Sequence, residues 1–549
     1  PFFMDIHQTL KAHFDSHDDI TLLPASHAID AYGGTTFSDK QLLTGAIKVH
    51  HKRVIPLVLS LANSLNFAVH PVSSNKNWGY GSITRDSADR PVVLLDLSGL
   101  CKISPTSKEL GLITVEPGVT QQMLYDYLQE NEWPHMVPVT GAGPTCSVLS
   151  NALERGYGIT PHTDHFYACT ALKGFLPHPN LCEQEYASAV SALDKTSEDF
   201  IDKTFKWGLG PYIDGLFTQS NLGIVTEMTV RLARKPNAFS AFYIQVFDGD
   251  NFEDSVNFIR TLLESQSGLV GSINLMDKRR LVSMTCQNPN MHDTPIMPLT
   301  DEQVNSLAAS KRLPEWMIVG SIYGDQPVVN YVKKYIKHHA RPLGKVLFSD
   351  SLLLKFARRF ATLPLDFLPA FKDIKTQLSS LQEGVEIMLG KPNQVALPLP
   401  YWRNPTKQPD KSNLLHPADD ECGLLWYAPL IAMNPTTLSG FVDFVRRTML
   451  AYDLDPFITF TNLKHDCIDS TVPLVFDKRD PAQVEKAHAC LRALIDEGCE
   501  QGFVPYRLPV TEQARLDKQT PFWQSVDVIK KAVDPNNILS PGKYDASEA

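Results

Sequence analysis

The sequence predicts an α+β protein of more than one domain, and three observations carry that prediction. Its 549 residues exceed what one hydrophobic core usually supports. Residues 1–236 set strand-like and helix-like runs between glycine-bearing polar loops, a mixed sheet with helices and not a chain of regular βαβ units. Residues 237–503 lose those loops and alternate strand-like with helix-like windows, as an α+β cap would. The basic, proline-bearing hinge Arg234-Lys235-Pro236-Asn237 parts the two, and residues 504–549 return the chain to the first domain.

Composition narrows the function classes. Apolar residues make up 43% of the chain, as in a globular protein. A net charge of −10 with no basic stripe to offset it argues against nucleic acid or an anionic membrane as the main partner. Small-molecule chemistry is the better expectation. The nine cysteines contain no CxxC pair, so neither a disulfide framework nor a zinc ribbon is suggested, and a reducing compartment fits. The stretch Pro1-Phe2-Phe3-Met4-Asp5-Ile6-His7 has no basic leader, and no later window is long and apolar enough to span a bilayer. The expectation is a soluble, cytoplasmic protein.

From 38 to 67 the pattern reads as largely helical, with Leu57, Leu61, Ala62 and Leu65 on one face and Pro56 near the start. A strand at 66–71 then leads into the polar loop Val72-Ser73-Ser74-Asn75-Lys76-Asn77-Trp78-Gly79-Tyr80-Gly81, and a further strand follows at 91–97. Small and amide residues in such a loop let successive N–H groups approach an anion, a nest geometry suited to a pyrophosphate. An ordinary surface turn has the same composition. Residues 112–115 read as a strand, and Pro117-Gly118 turns into a helix capped by Thr120 with Met123, Leu124, Tyr127 and Leu128 as its buried stripe.

Between Trp133 and Phe166 small residues and breakers accumulate, among them Gly141, Gly143, Pro144, Gly156 and Gly158, as in backbone that lines a ligand. Gly141-Ala142-Gly143 is not a dinucleotide-binding turn, because position 146 is Cys and no acidic ribose partner follows. His162, Asp164 and His165 form a facial metal site only if the backbone bends to converge them, so loop hydrogen bonding is the preferred reading and no metal is expected. Ser220-Asn221-Leu222-Gly223-Ile224-Val225-Thr226 is a glycine-interrupted entry into an alternating strand, with a plain edge strand as the alternative.

In the second domain, strand-like 242–246 precedes helix-like 252–264, and strand-like 316–322 precedes helix-like 328–339, with Pro327 in the first turn. A strand follows at 457–462. The helix at 481–502 is capped by Asp480 and buries Val484, Ala487, Leu491, Leu494 and Ile495. The Pro-, Asn-, Lys- and Asp-rich segment 401–422 reads as a mobile excursion.

Five stretches, in order, together resemble the vanillyl-alcohol oxidase and para-cresol methylhydroxylase (PCMH) family of flavoproteins. They are the 44–81 segment closing on Gly79-Tyr80-Gly81; Val115-Glu116-Pro117-Gly118-Val119-Thr120; and Asn151-Ala152-Leu153-Glu154-Arg155-Gly156 running into Thr160-Pro161-His162-Thr163-Asp164-His165-Phe166. The last two are the 210–226 segment and Val533-Asp534-Pro535-Asn536-Asn537 with Ser540-Pro541-Gly542-Lys543. The resemblance implies a two-part PCMH-type FAD-binding domain over 1–236 and 504–549, with an α+β, ferredoxin-like cap at 237–503. It implies FAD held by Ser73, Ser74, Asn75, Lys76, Asn77, Gly79, Gly118, Gly141 and Lys543. Asn151, Glu154, Arg155 and Gly156 would lie near its pyrophosphate and adenosine, and Gly223, Ile224 and Val225 on its adenine side. Glu154 and Arg155 pairing with each other on a turn is the bland alternative.

The same resemblance implies that Tyr80, Tyr506 and Arg507 jointly bind a phenolate, two hydroxyls and a guanidinium converging on one oxygen. The expected reaction is oxidation of a para-substituted phenol by hydride transfer from its benzylic carbon to flavin, through a quinone methide. A non-phenolic alcohol or natural-product intermediate is the alternative substrate. Dimerisation and transfer of electrons to a cytochrome or to dioxygen are family habits. Two departures stand out: 137–144 lacks the aspartate found there in the oxidase branch, and the region around Leu424 lacks a histidine for a covalent flavin link. Tyr401 is the available candidate for a tyrosyl link, with packing beside Trp402 as the alternative.

Overall fold

The polar loop at 73–81 leaves the end of a parallel strand, and the sheet behind it holds it in place. In the computed structural model, which describes residues 6–14, 17–83, 90–196, 198, 200–350 and 369–544, the chain divides into two units. The first comprises Pro1–Gly158, Asp164–Arg234 and Pro509–Ala549, and the second Ile159–Thr163 and Lys235–Leu508. Residues 1–5 of the N-terminal stretch read above lie outside the described residues.

In the first unit, Gly45–Val49, Val92–Asp96 and Ala68–Val72 run parallel, with Val92–Asp96 between the other two and Ile20–Pro24 antiparallel on the outer side. The helix expected over 38–67 is therefore too long, since only Ile55–Leu65 is α-helical. Gly45-Ala46-Ile47-Lys48-Val49 is a short apolar run whose period cannot separate strand from buried helix, and pairing on both sides makes it a strand. The helix ends at Asn66 in the left-handed region (φ 53°) and buries Ile55, Val58, Leu59, Leu61 and Ala62. The C-terminal segment adds to the far edge, where Val69 N–H donates to Ile538 O at 2.7 Å and Ser540 N–H to Val69 O at 2.9 Å.

A second sheet in this unit has the order Ile103–Ser107, Leu112–Val115, Ile224–Arg231, Cys169–Phe175, Tyr186–Ala187. Ile224–Arg231 is central and not an edge, and its burial does not alternate: Thr226 and Thr229 are as enclosed as Met228. The Thr229 and Thr114 hydroxyls satisfy each other at 2.8 Å across the pair. The helix Gln121–Glu130 is capped by the Thr120 hydroxyl, which accepts from Met123 N–H at 3.2 Å. Its inward stripe is Gln121, Leu124 and Leu128; Met123 faces out, because Gln121 is drawn inward by hydrogen bonds with Thr140.

The second unit is built on an antiparallel sheet. Its order is Lys345–Phe348, Ala238–Val246, Trp316–Gly324, Ile273–Asp277, Thr459–Asn462, Cys467–Ser470, Cys422–Ala432, Val472–Asp477, with Val504–Arg507 also paired to Cys422–Ala432. Helices pack on both faces: Leu381, Val385 and Met388, on the helix Pro369–Met388, meet Ala241, Tyr243 and Val319 on one, and two helices cover the other. Phe441, on the helix Pro435–Ala451, lies against Tyr427 and Phe460, and Phe252, on the helix Phe252–Ser265, against Trp316. The helix Pro481–Glu500 is capped by Asp480 and buries Ala487, Leu491 and Leu494 with Gln483 and Cys490, while Val484 and Ile495 are only half-buried.

The segment 401–422 is not a mobile excursion over its whole length. Tyr401, Trp402 and Arg403 are among the more deeply buried side chains, and Asn404 ties back to Asp420 O at 2.7 Å. The cause is a buried carboxylate, Asp455. It accepts from Arg403 at 2.9 Å, from Arg279 at 3.4 Å and from Leu299 N–H at 2.9 Å.

Candidate functional site

The loop after Ala68–Val72 has the backbone of an anion cradle. Asn75, Gly79 and Gly81 take positive φ (54°, 79° and 79°), so the chain reverses hand three times within seven residues. A side chain at Gly81 would also meet Phe37 and Val510 at 2.7 Å. Thr36 fixes the loop by accepting from Gly79 N–H at 2.9 Å, and Asn77 donates to Gly81 O at 2.6 Å. Ser73, Ser74, Lys76 and Asn77 stay half-buried, while Tyr80 is 8% exposed.

Several of the expected cofactor residues come together around this loop. The Ser150 hydroxyl donates to Ser73 Oγ at 2.7 Å, joining the loop to the short helix Val148–Leu153. Asn151, next along that helix, has its Oδ1 2.6 Å from His165 Nδ1, which gives His165 a loop-bonding role. Asp164 likewise accepts from Tyr167 N–H. Among the described residues no group of three His, Cys, Asp or Glu could hold a metal ion. Glu154 accepts from Lys543 Nζ at 2.5 Å, and the Arg155 guanidinium donates twice to Thr218 Oγ1 at 3.1 Å. Gly156 is pressed against the Asn151 side chain. Gly118 has Ser98 O where a Cβ would be, at 2.3 Å, so this turn admits only glycine without movement. Gly141 lies exposed at the start of the neighbouring turn.

Gly223, Ile224 and Val225 begin the central strand of the second sheet. Asn221, just before them, donates to Ser540 O at 3.0 Å, and Lys530 Nζ binds Asn221 O, Leu539 O and Asp534 within 3.0 Å. The motifs at 220–226 and 533–543 are thus one buried structure. Ser150, His165 and Thr218 were not singled out as cofactor residues; the only local signal for Ser150 is its N–H bonding to the Ser147 cap. Hydroxyls and amides on a loop of alternating hand, backed by one lysine–glutamate pair, form a donor set suited to a pyrophosphate-bearing ligand.

Tyr506 and Arg507 belong to the second unit. The pairing of Val504–Arg507 with Cys422–Ala432 slips by one residue: Ala428 opposes Arg507, but Pro429 opposes Pro505. Tyr506 is the extra residue of a β-bulge, a device that bends the strand and re-aims a side chain. Tyr80 belongs to the first unit, where its carbonyl accepts from Val510 N–H at 2.8 Å, three residues along the chain from Arg507. Tyr401 is 1% exposed and its hydroxyl donates to Asp420 at 2.5 Å. Burial, then that hydrogen bond, holds its phenol well above the ordinary range, so it stays protonated at neutral pH. That is the environment of a packed phenol beside Trp402.

The FAD binding domain family matches residues 44–174, which include the loop, the Val148–Leu153 helix and all but the last residue of the strand Cys169–Phe175. The chain is 25% identical over 488 residues, 88% of its length and 84% of the other, to the 4-cresol dehydrogenase (hydroxylating) flavoprotein subunit of Pseudomonas putida. The crystal structure of p-cresol methylhydroxylase with substrate bound shares the fold, with a TM-score of 0.82 at 23% identity over 99% of this chain and 98% of that one. Residues 44–174 are an FAD binding domain, and the chain has the PCMH-type fold. It is an FAD-dependent oxidoreductase of α+β, PCMH-type fold. The chain is also 28% identical over 513 residues, 93% of its length and 92% of the other, to the 1'-carboxy-chondrochloren decarboxylase of Chondromyces crocatus. A 4-ethylphenol oxidase from Gulosibacter chungangensis, solved as an isoeugenol complex, has the same fold with a TM-score of 0.81 at 21% identity over 96% and 94% of the two chains. Among the described residues no helix is long and apolar enough to cross a membrane.

Proposed function

We propose that the enzyme oxidises a para-substituted phenol, with Tyr80, Tyr506 and Arg507 binding the substrate as its phenolate. The observation that supports this reading is the one-residue slip at 505–507, which leaves Tyr506 as the extra residue beside Arg507, a device that re-aims side chains and recurs next to active sites. Two phenolic donors and a fixed cation lower the substrate's pKa. Bound FAD supplies the hydride acceptor. The phenolate oxygen pushes electrons through the ring as a hydride leaves the benzylic carbon, so the C–O bond becomes C=O and a quinone methide remains. Water addition or internal collapse completes the reaction. Lacking an acid in 137–144, the chain offers no residue there to activate that water.

The remaining expectations belong to the same reading: the second unit as cap, Ser73 to Asn77, Asn151 and Lys543 toward the FAD, a homodimer, and a cytochrome or dioxygen as electron acceptor. The relative named a decarboxylase favours a second reading, oxidation of a non-phenolic natural-product intermediate. Anaerobic bleaching of the flavin absorbance by a panel of 4-alkylphenols and non-phenolic alcohols separates the two. Tyr80→Phe should lower kcat/KM by about 10- to 100-fold and Arg507→Ala by at least about 100-fold, with flavin retained, since each removes a hydrogen bond to an anion. Unchanged phenol oxidation in both variants would refute the proposal.

A further inference from the structure

The run Phe205-Lys206-Trp207-Gly208-Leu209-Gly210-Pro211-Tyr212-Ile213 sets large apolar side chains among two glycines and a proline, and the chain there forms neither helix nor strand. The first unit leaves most of them outside. Of the twenty large apolar side chains exposed among the described residues, six are Tyr167, Ile201, Phe205, Trp207, Leu209 and Ile213, with exposures from 42% at Ile213 to 70% at Leu209. Apolar side chains exposed singly are ordinary, but a group of them on one surface marks a contact site. The Trp207 ring ties the group together: its centre is 5.2 Å from that of Tyr212 and 6.5 Å from that of Tyr167, edge-on to both.

This surface is held in shape from within the unit. Lys206 Nζ donates to Phe166 O at 2.6 Å and Cys169 O at 2.8 Å and lies 4.0 Å from the centre of the Phe166 ring, which fastens the run to the turn before the strand Cys169–Phe175. At its two ends, Arg231 donates to Thr204 O at 2.8 Å, and the buried Asp214 accepts from Tyr186 and Ser188, each at 2.5 Å. Side chains of this kind offer about 200 Å² each, so six at these exposures present about 700 Å². A stable interface takes about 800 Å² from each partner. Charge then selects the partner. Residues 200–214 set Asp202 and Asp214 against Lys203 and Lys206, so the stretch is neutral on a chain of net charge −10. Two such chains repel where acid faces acid and can meet on a neutral apolar face, whereas a basic carrier is drawn to acidic surface.

We infer that this face, Tyr167 with residues 201–213, is where a second copy of the chain docks, each copy offering the same patch about a two-fold axis. It deepens the reading above by giving the expected homodimer its surface, and it rests on that reading for the dimer alone. Because the patch is already ordered, little conformational freedom is lost when it is covered.

The test is sedimentation equilibrium of the flavin-loaded full chain at about 10 µM, where the wild type should be a dimer of twice 61.3 kDa. Leu209→Glu and Phe205→Glu each bring two carboxylates into the same apolar contact, one from each copy, and should weaken the dimer at least about 100-fold. Both side chains stand in solvent in the single chain, so the variants should keep their fold and their flavin, which far-UV circular dichroism and flavin absorbance check. Either variant serves if the other does not fold. Phe522→Glu, at a similarly exposed position on the helix Pro521–Val533, is the control and should leave the dimer intact. A dimer that survives both the Leu209 and Phe205 substitutions, or that Phe522→Glu breaks as readily, overturns this face and leaves the homodimer standing. A monomeric wild type overturns both, and neither result touches the phenol reading, which flavin reduction tests separately.

Discussion

Asp455 is where the second unit is most exposed to a single substitution. Its carboxylate and the Arg403 guanidinium are essentially inaccessible, with side chains 1% and 0% exposed. The same carboxylate accepts from Arg279, whose other donors go to Leu299 O and Asp301. Asp455→Asn keeps the shape and an acceptor for Leu299 N–H, but leaves two cations facing a neutral amide. Removing one partner of a buried ion pair typically costs about 3–5 kcal/mol. Arg403 keeps its bonds to Ile296 O (3.2 Å) and Asp453 O (2.9 Å), so the lower end, about 3 kcal/mol, is expected here. For a unit of this size that corresponds to a fall in Tm of roughly 6–12 °C. Thermal unfolding followed by far-UV circular dichroism measures it, and flavin fluorescence followed in parallel reports on FAD release. A fall of less than about 2 °C would refute the argument that this carboxylate is what packs residues 401–403.

Two further predictions follow from titrating groups. Burial raises the Asp350 carboxyl, but the Lys333 ammonium and the Ser240 hydroxyl more than offset that, so its pKa lies below the ordinary value of 3.8. A depressed carboxylate adds stability above its unfolded pKa and loses it as pH falls through the folded one, so Lys333→Met should be less stable than the wild type at pH 7, with the gap closing below about pH 4 in urea titrations. A gap that stays constant down to pH 2.5 would contradict the assignment. Desolvation pushes the Cys169 and Cys422 thiols up to about 12, and both are buried, whereas Cys101, Cys467 and Cys499 are exposed. Native protein at pH 8 should label at those three exposed thiols with an aromatic disulfide reagent, and Cys169 and Cys422 only after denaturation, as peptide mapping would show.

Local chemistry wrote much of this protein into its sequence. Thr120 and Asp480 accept from the first turns of their helices, and Pro327 opens the helix Gln326–His339, because caps and first-turn prolines act on residues two or three positions away. The five ordered stretches were enough to identify the PCMH-type fold and its FAD. Other features were not legible, because they depend on partners distant in the chain. Gly45–Val49 is a strand only through Ile20–Pro24 and Val92–Asp96, and Met123 yields its inward place to Gln121 only because Thr140 is there. The polar segment after Tyr401 is packed because of Asp455, some fifty residues further on. The one-residue slip opposite Pro429 that leaves Tyr506 as the extra residue beside Arg507 is a property of register, and register exists only between two paired strands. The letters set which side chains were available; the pairing of distant strands decided which way they point.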